Sequence, residues 1–369
     1  MKKLLFVDSY YNDLYGAQKS MLKLAQLVDG REFKSTIATF HSGKLMDEVK
    51  RSGINSLDLN TFLPLLDCKT NTFMSKLKLL FLLFFHWLFF FSRLYKQLND
   101  YDVVCVNDIR TVIYLLPIII TRRNSIKFIW YIRIRENLTM VKFLSKFFKE
   151  IVVNSSKIYN IYESQICKGK LHLVYTGFEF NSEIKDLPNI FTRRLRVICL
   201  ASINNRKNQI ESLQIVSQLS NKYKIEIDLD FCGDFSEDEV YFLQLKKLIN
   251  LKENDSVFCK FLGYRDDVVD FLSEYDISIL SSKREGLPRS LIESASQGLY
   301  LISSDVEGSE DIITNDHIGV IYSPSDIEKK TVSVNFDFLN DHYRHMRKNA
   351  MKNCFSNKKF KNEFLKVIN

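Results

Sequence analysis

The sequence predicts an α/β protein built from two doubly wound, parallel-sheet domains. Short apolar runs of strand length alternate with amphipathic stretches of helical period along the whole chain. The 369 residues suit two domains at roughly 150 each. The alternation pauses once, over 177–194, where a polar stretch carrying Pro188 precedes a new strand, LRVICL.

Taken in order, the chain opens with a strand at 3–8. A helix follows at 17–28, with Met21, Leu24, Ala25 and Val28 on one face. Further strands are expected at 35–40, 102–106, 126–132, 150–153 and 171–175. After the linker the strands fall at 195–200, 225–232, 256–261, 276–280 and 299–303, with helices at 208–220, 238–250, 266–273 and 289–297. This divides the chain into a domain at 1–176, a linker at 177–194 and a second domain at 195–340. A basic helical tail at 341–369 is able to pack back on the first domain. Ligands of such sheets bind beyond the carboxyl ends of strands, so the expected site is a cleft where two sheets face each other.

Composition narrows the class. Charged residues at 26% and apolar ones at 46% exclude a disordered or collagen-like chain. Seven cysteines without a C-x-x-C pair or a close Cys/His set point to a reducing compartment and to no metal site. Cys105, Cys199, Cys232 and Cys259 lie in apolar runs, as small buried hydrophobes do. The start, MKKLLFVD, is too short for a signal-peptide core, which makes a cytoplasmic location the expectation. There are 29 Phe and 17 Tyr, rings that must be buried or face something apolar. Many lie in Leu79–Phe91, LLFLLFFHWLFFF, flanked by Lys76, Lys78, Arg93 and Lys96. Spanning a bilayer takes roughly 20 apolar residues, so this run reads as a core helix or as one lying in a membrane interface.

Chemistry concentrates in three stretches. In 276–298, a buried strand ends in a loop carrying Glu285, Pro288 opens a helix bearing Glu293, and Gly298 closes it. The amides around Arg289, Ser290 and Leu291 form a helix N-terminus suited to an anionic phosphate. The two carboxylates could receive hydroxyl hydrogen bonds from one elongated ligand; a loop charge and a solvated helix residue fit the same spacing. In 195–210, Arg206 and Lys207 stand at a strand–helix junction, as cations for a diphosphate or as a basic surface turn. In 4–25, Gly16 opens a helix after the first strand, where a phosphate or sugar can approach closely. No G-x-G-x-x-G, P-loop or H-E-x-x-H occurs, which argues against a dinucleotide oxidoreductase, a P-loop kinase and a zincin.

Together these stretches resemble the GT-B glycosyltransferases, family 4 of the retaining, sugar-nucleotide-dependent enzymes. The carrying residues are the E-x7-E pair Glu285–Glu293 in EGLPRSLIESASQG, with FCGDF (231–235), VFCKFLGY (257–264), DVEGSEDIITNDHIGVIYSPSD (305–326) and the N-terminal YGAQKSMLKLA. The resemblance implies transfer of a sugar from a UDP- or GDP-sugar to a saccharide acceptor. Glu293 would bind the ribose hydroxyls, and Glu285 with the amides of Gly286 and Leu287 the donor sugar. Lys207 with Arg206 would hold the diphosphate, and Gly16 would line the site from the first domain. No metal or other cofactor is implied. The family's loop arginine aligns with Ser202, and its first-domain histidine with Arg133 in WYIRIREN, so Arg206 would take over the diphosphate role. Arg133, Arg135 and Glu136 would then position acceptor or donor phosphates, or form an ordinary ion pair. A non-catalytic GT-B-like binding or scaffold protein is the alternative.

The net charge of +8 is local. Residues 121–150 hold eight cations against two carboxylates, and 342–369 eight against one. In 142–149, KFLSKFFK, one continuous helix would set Lys142, Lys146 and Lys149 opposite Phe143, Leu144, Phe147 and Phe148. With the 79–91 run, this predicts a peripheral enzyme on an anionic membrane surface acting on a lipid-linked saccharide of cell-surface polysaccharide biosynthesis. Lysines snorkelling from core helices give the same pattern. Nothing resembles a nucleic-acid module.

Overall fold

The computed structural model describes residues 1–12, 14–61, 73–180, 183–184, 192–251, 256–323 and 332–369, without the side chains of Phe73 and Lys76. Half of the expected linker, Pro188 included, and Cys68 lie outside the described residues. The chain divides into two compact units. The first comprises Met1–Asn154, Ile158–Gly177 and Asn357–Asn369; the second comprises Ser155–Lys157 and Phe178–Ser356. The stretch 341–369 is therefore not one tail but is shared between the units at Ser356/Asn357.

The first unit runs β1 (Lys2–Asp8), α1 (Gly16–Val28), β2 (Phe33–Thr39), α2 (Lys44–Arg51), β3 (Asn55–Asp58) and α3 (Phe73–Leu98). It continues through β4 (Val103–Val106), α4 (Ile109–Arg122), β5 (Lys127–Ile132), α5 (Leu138–Leu144), β6 (Glu150–Val153), α6 (Ser156–Glu163) and β7 (Leu171–Leu173). Every strand pairs parallel, in the order β3-β2-β1-β4-β5-β6-β7. Parallel strands buried on both faces need continuous apolar runs, which LLFV and VVCV supply. The order reverses direction between β1 and β4. Right-handed crossovers therefore put α1 and α2 on one face and α3 to α6 on the other.

The second unit contains β8 (Leu195–Leu200), α7 (Gln209–Tyr223), β9 (Ile227–Cys232), α8 (Val240–Leu251), β10 (Val257–Gly263), α9 (Val268–Leu272) and β11 (Ile277–Leu280). It ends with α10 (Arg289–Ser296), β12 (Tyr300–Ser304), α11 (Ser309–Ile312), β13 (Gly319–Tyr322) and α12 (Asp341–Phe355). Its parallel sheet runs β10-β9-β8-β11-β12-β13, reversing between β8 and β11. A last helix, α13 (Asn357–Ile368), returns to the first unit. There Phe360, Phe364 and Val367 are buried with α1 and β1, and the Phe364 ring stacks on Phe6 at 5.9 Å.

Three expectations need correction. Residues 142–149 do not form one amphipathic helix. Asn137 caps the start of α5, which stops at Leu144; a 3-10 turn takes Ser145–Phe147, and Phe148 is extended on its way into β6. Leu144 and Phe148 are core residues, while Phe143 shares the exposed surface with Lys142, Lys146 and Lys149. A single helix could not bury Phe148 and also deliver an extended chain to the edge of β5. The run at 79–91 is, in turn, only the middle of a 26-residue helix. Its stretch Leu77–Leu98 is long and apolar enough to cross a membrane by length and composition. The helix is not a core helix all round either. Leu83, His86, Leu94 and Leu98 are buried, and the opposite face is open. Cys259, for its part, is only partly buried.

His86 sits 1% exposed between the rings of Phe90 and Tyr114, and burial pushes its imidazole down to about 4. It is thus neutral at pH 7. A folded pKa below the ordinary His value contributes stability above pH 6.5 that is lost as the pH falls toward 4. Between those limits His86→Leu should gain about 3 kcal/mol on the wild type, by urea unfolding at pH 7, 5.5 and 4. A constant difference between the two proteins would show that His86 does not titrate as a buried group.

Candidate functional site

In an open parallel sheet, the two loops leaving the strands on either side of a reversal diverge to opposite faces and leave a crevice. In the second unit those loops are 201–208, after β8, and 281–288, after β11. They carry Arg206, Lys207 and Glu285. The loops are laced together: Lys283 N donates to Arg206 O at 2.9 Å, and the Ser281 hydroxyl to Asn208 O at 2.7 Å. Asn204 folds the first loop by accepting from the amides of Arg206 and Lys207, each at 3.1 Å.

Across this crevice Lys207 Nζ meets Glu285 Oε1 at 2.5 Å, with both side chains largely buried. Arg206 Nη1 lies 3.8 Å from the same oxygen but is half exposed, so it adds field rather than a bond. Both side chains are largely shielded from water, so either would be costly to leave there without its partner. Ser202 holds the base of the loop, its carbonyl accepting from Gln209 Nε2 at 2.9 Å. Gly233 packs so closely there that a Cβ would stand 2.3 Å from Ala201 O and 2.7 Å from Ser202 N.

Glu285 leads through buried Gly286, Leu287 and Pro288 into α10. Pro288 occupies the N-cap, no side chain caps the helix, and no acid lies in the first turn. The amide end that begins at Arg289, Ser290 and Leu291 thus keeps its positive field for something other than the protein's own side chains. One turn on, Glu293 Oε1 accepts from Arg289 Nη2 at 3.2 Å, and the Arg289 guanidinium lies over the Phe178 ring at 4.5 Å. Sequence reasoning missed this i,i+4 partnership, though the spacing alone could have suggested it.

The loop and helix are buttressed from behind. Arg344 and Arg347 of α12, each 1% exposed, donate to carbonyls that end neighbouring helices: Arg344 to Ser273 and Gln297, Arg347 to Gly298. Burial and the neighbouring Arg344 push Arg347 down to about 9. Gly308, at φ +82°, packs against the loop itself; a Cβ there would stand 2.6 Å from Gly286 O and 2.9 Å from Leu287 Cα.

In the first unit the reversal lies between β1 and β4, and polar residues again fill the strand ends. Asp8, fully buried, accepts from Tyr10 N (2.8 Å), Gln18 Nε2 (3.0 Å) and Asn107 Nδ2 (2.6 Å). Burial and the Asp108 carboxylate raise its pKa to about 7. Arg133, at the end of β5, is buried in the same network. It donates from Nε to Asn107 Oδ1 and from Nη1 to Ser20 Oγ (2.8 Å), and stacks over the Tyr131 ring at 3.9 Å. Beyond β5, Arg133 is buried and Arg135 exposed, while the Glu136 backbone is held by the Tyr162 hydroxyl, which donates to Glu136 O at 2.8 Å and accepts from Glu136 N at 2.6 Å. Gly16 begins α1 behind Tyr15, an extended N-cap. Among the described residues no group of three His, Cys, Asp or Glu is placed to hold a metal ion.

The glycosyl transferases group 1 family matches residues 181–353, most of the second unit. The chain is 25% identical over 157 residues to the capsular polysaccharide biosynthesis glycosyltransferase CapH of Staphylococcus aureus, covering 42% of this chain and 41% of CapH. It is 38% identical over 60 residues to the N,N'-diacetylbacillosaminyl-diphospho-undecaprenol alpha-1,3-N-acetylgalactosaminyltransferase of Campylobacter jejuni, covering 16% of each chain. The matches thus span less than half the length of these relatives. In structure, the chain resembles Anabaena HepE in complex with UDP-glucose, with a TM-score of 0.72 at 14% identity over 100% of this chain and 99% of HepE.

Because Gly308 lies at positive φ and against the Gly286–Leu287 backbone, Gly308→Ala should lower unfolding stability by about 1–3 kcal/mol in urea titration. A variant as stable as the wild type would mean that the loop has slack to move. The chain has the GT-B fold, and most of its second unit matches the glycosyl transferases group 1 family.

Proposed function

We propose that the protein is a retaining glycosyltransferase of the family 4 kind, moving a sugar from a UDP- or GDP-sugar to a saccharide on a lipid carrier. Its place is the biosynthesis of a cell-surface polysaccharide, on the cytoplasmic face of the membrane. The observation that carries this reading is the Lys207–Glu285 pair at the β8/β11 crevice, with Glu293 on the helix directly behind it. The relatives support it by their own activities. CapH is a glycosyltransferase of capsular polysaccharide biosynthesis, and the Campylobacter enzyme acts on a diphospho-undecaprenol-linked sugar.

The roles follow from charge and reach. The donor diphosphate competes with Glu285 for Lys207 and draws on Arg206 and the amide end of α10 (Arg289, Ser290, Leu291), so that the leaving charge is stabilised by fixed cations and dipoles. Glu285, released from its lysine, accepts from the donor sugar's hydroxyls, assisted by the amides of Gly286 and Leu287. Glu293 accepts from the ribose hydroxyls, with Arg289 holding its carboxylate in place. Ser202 shapes the loop that carries the cations. The bond between the anomeric carbon and the diphosphate oxygen breaks as the acceptor oxygen attacks the same face, and the leaving diphosphate takes the acceptor's proton. Gly16 is assigned to donor binding and Arg133, Arg135 and Glu136 to the acceptor side, Arg133 acting through Asn107 and Ser20. No metal is required in this scheme, since the side-chain cations and helix amides neutralise the diphosphate.

Release of UDP or GDP from a panel of sugar nucleotides tests the reading, with the anomeric configuration of the product read by NMR. Glu285→Ala should reduce kcat at least 100-fold, and Glu293→Ala should raise the donor KM roughly ten-fold. No nucleotide release from any sugar nucleotide, or Glu285→Ala equal to the wild type, would remove the enzyme reading.

A further inference from the structure

Among the described residues, the first unit leaves a large apolar surface open. Along α3, Leu77, Phe81, Phe84 and Leu88 recur at i, i+4, i+7 and i+11 and form a single stripe, widened by Leu80 and Phe89. All six are exposed, from 52% at Leu77 to 67% at Phe89. Isolated exposed apolar residues are ordinary, but a contiguous aromatic stripe of this length marks an interaction surface.

What covers it is decided by charge. The helix contains no carboxylate. Lys78 lies near its start and Arg93 and Lys96 near its end, all exposed on one flank of the stripe. More cations gather beside the C-terminal end. Arg122 of α4 lies over the Tyr95 ring at 4.9 Å, Arg123 over Phe147 at 5.9 Å, and Lys142 and Lys146 are exposed next to Phe143. A second copy seated on this face would bring cations against cations in either direction, with no carboxylate on α3 to pair them. An anionic bilayer offers both complements at once: acyl chains for the rings and phosphates for the cations.

The buried face of α3 sets the depth. Leu83, His86, Leu94 and Leu98 are packed in the unit's core, and Trp87 Nε1 donates to Tyr114 O at 3.1 Å. Crossing the bilayer would strip these contacts away, whereas lying in the plane keeps them all. We propose that α3 is an in-plane membrane anchor, its Leu/Phe stripe sunk at the headgroup–acyl boundary of an anionic bilayer and its flanking cations on lipid phosphates. This deepens the reading of a lipid-linked acceptor and rests on it for its purpose, while the surface itself can be tested alone.

The experiment is co-sedimentation of the purified full chain with vesicles of phosphatidylcholine, with and without phosphatidylglycerol. The wild type should partition onto the anionic vesicles, several-fold less at high salt. Phe84→Glu/Leu88→Glu, at two exposed positions, should bind at least ten-fold less with an unchanged thermal melt. Equal sedimentation of wild type and variant would overturn the proposal. So would retention through an alkaline carbonate wash, which means a spanning helix, or a dimer dissolved by the variant without any vesicle binding. Nucleotide release measured without lipid separates the two readings. Turnover without vesicle binding removes the anchor alone, and vesicle binding without turnover removes the enzyme alone.

Discussion

The structure depends most on what happens where a parallel sheet reverses its strand order. Between β8 and β11 the chain leaves in opposite directions, so no connection covers the ends of these two strands. The gap is bridged instead by Lys207 and Glu285, two side chains that would each be costly to bury alone. The pair adds a side-chain link to the bonds that already lace the two loops, between residues 78 apart in sequence.

Much of the second unit serves to keep that crevice in shape. The buried arginines of α12 satisfy carbonyls at the ends of α9 and α10. Helix ends without such partners are sites of fraying, and α10, with eight residues, has little cooperativity of its own. Gly233 and Gly308 let backbone approach backbone on either side of the loops, closer than any Cβ would permit. The rigidity of the site is therefore assembled from residues with no part in the chemistry.

The first unit solves the same topological problem differently. Its reversal is filled by a buried hydrogen-bond network, Asp8–Asn107–Arg133–Ser20, rather than by a single pair. The outer surface of the unit divides sharply between the buried side of α3 and the open stripe of leucines and phenylalanines on its other side. The sequence pattern of this helix is almost unbroken apolar residues, which hides its two-sidedness. Only the packing of Leu83, His86 and Leu94 shows which side is core.

Strand–helix alternation, the loop–helix block around Glu285 and Glu293 and the basic junction at Arg206–Lys207 were all legible in the sequence, because each is a local pattern of period, punctuation or charge. Short elements such as β3, α2 and β13 were not, since four to eight residues carry too little periodicity to stand out from loop. Pairings also escaped it. That Lys207 meets Glu285, that Arg133 turns inward to Asn107, and that KFLSKFFK breaks after Leu144 follow from where strands lie side by side. The residues alone determined which chemistry the chain carries and roughly where along it. The tertiary structure decided which of those groups share a space, because a contact between distant residues exists only once the sheet order brings the strand ends together.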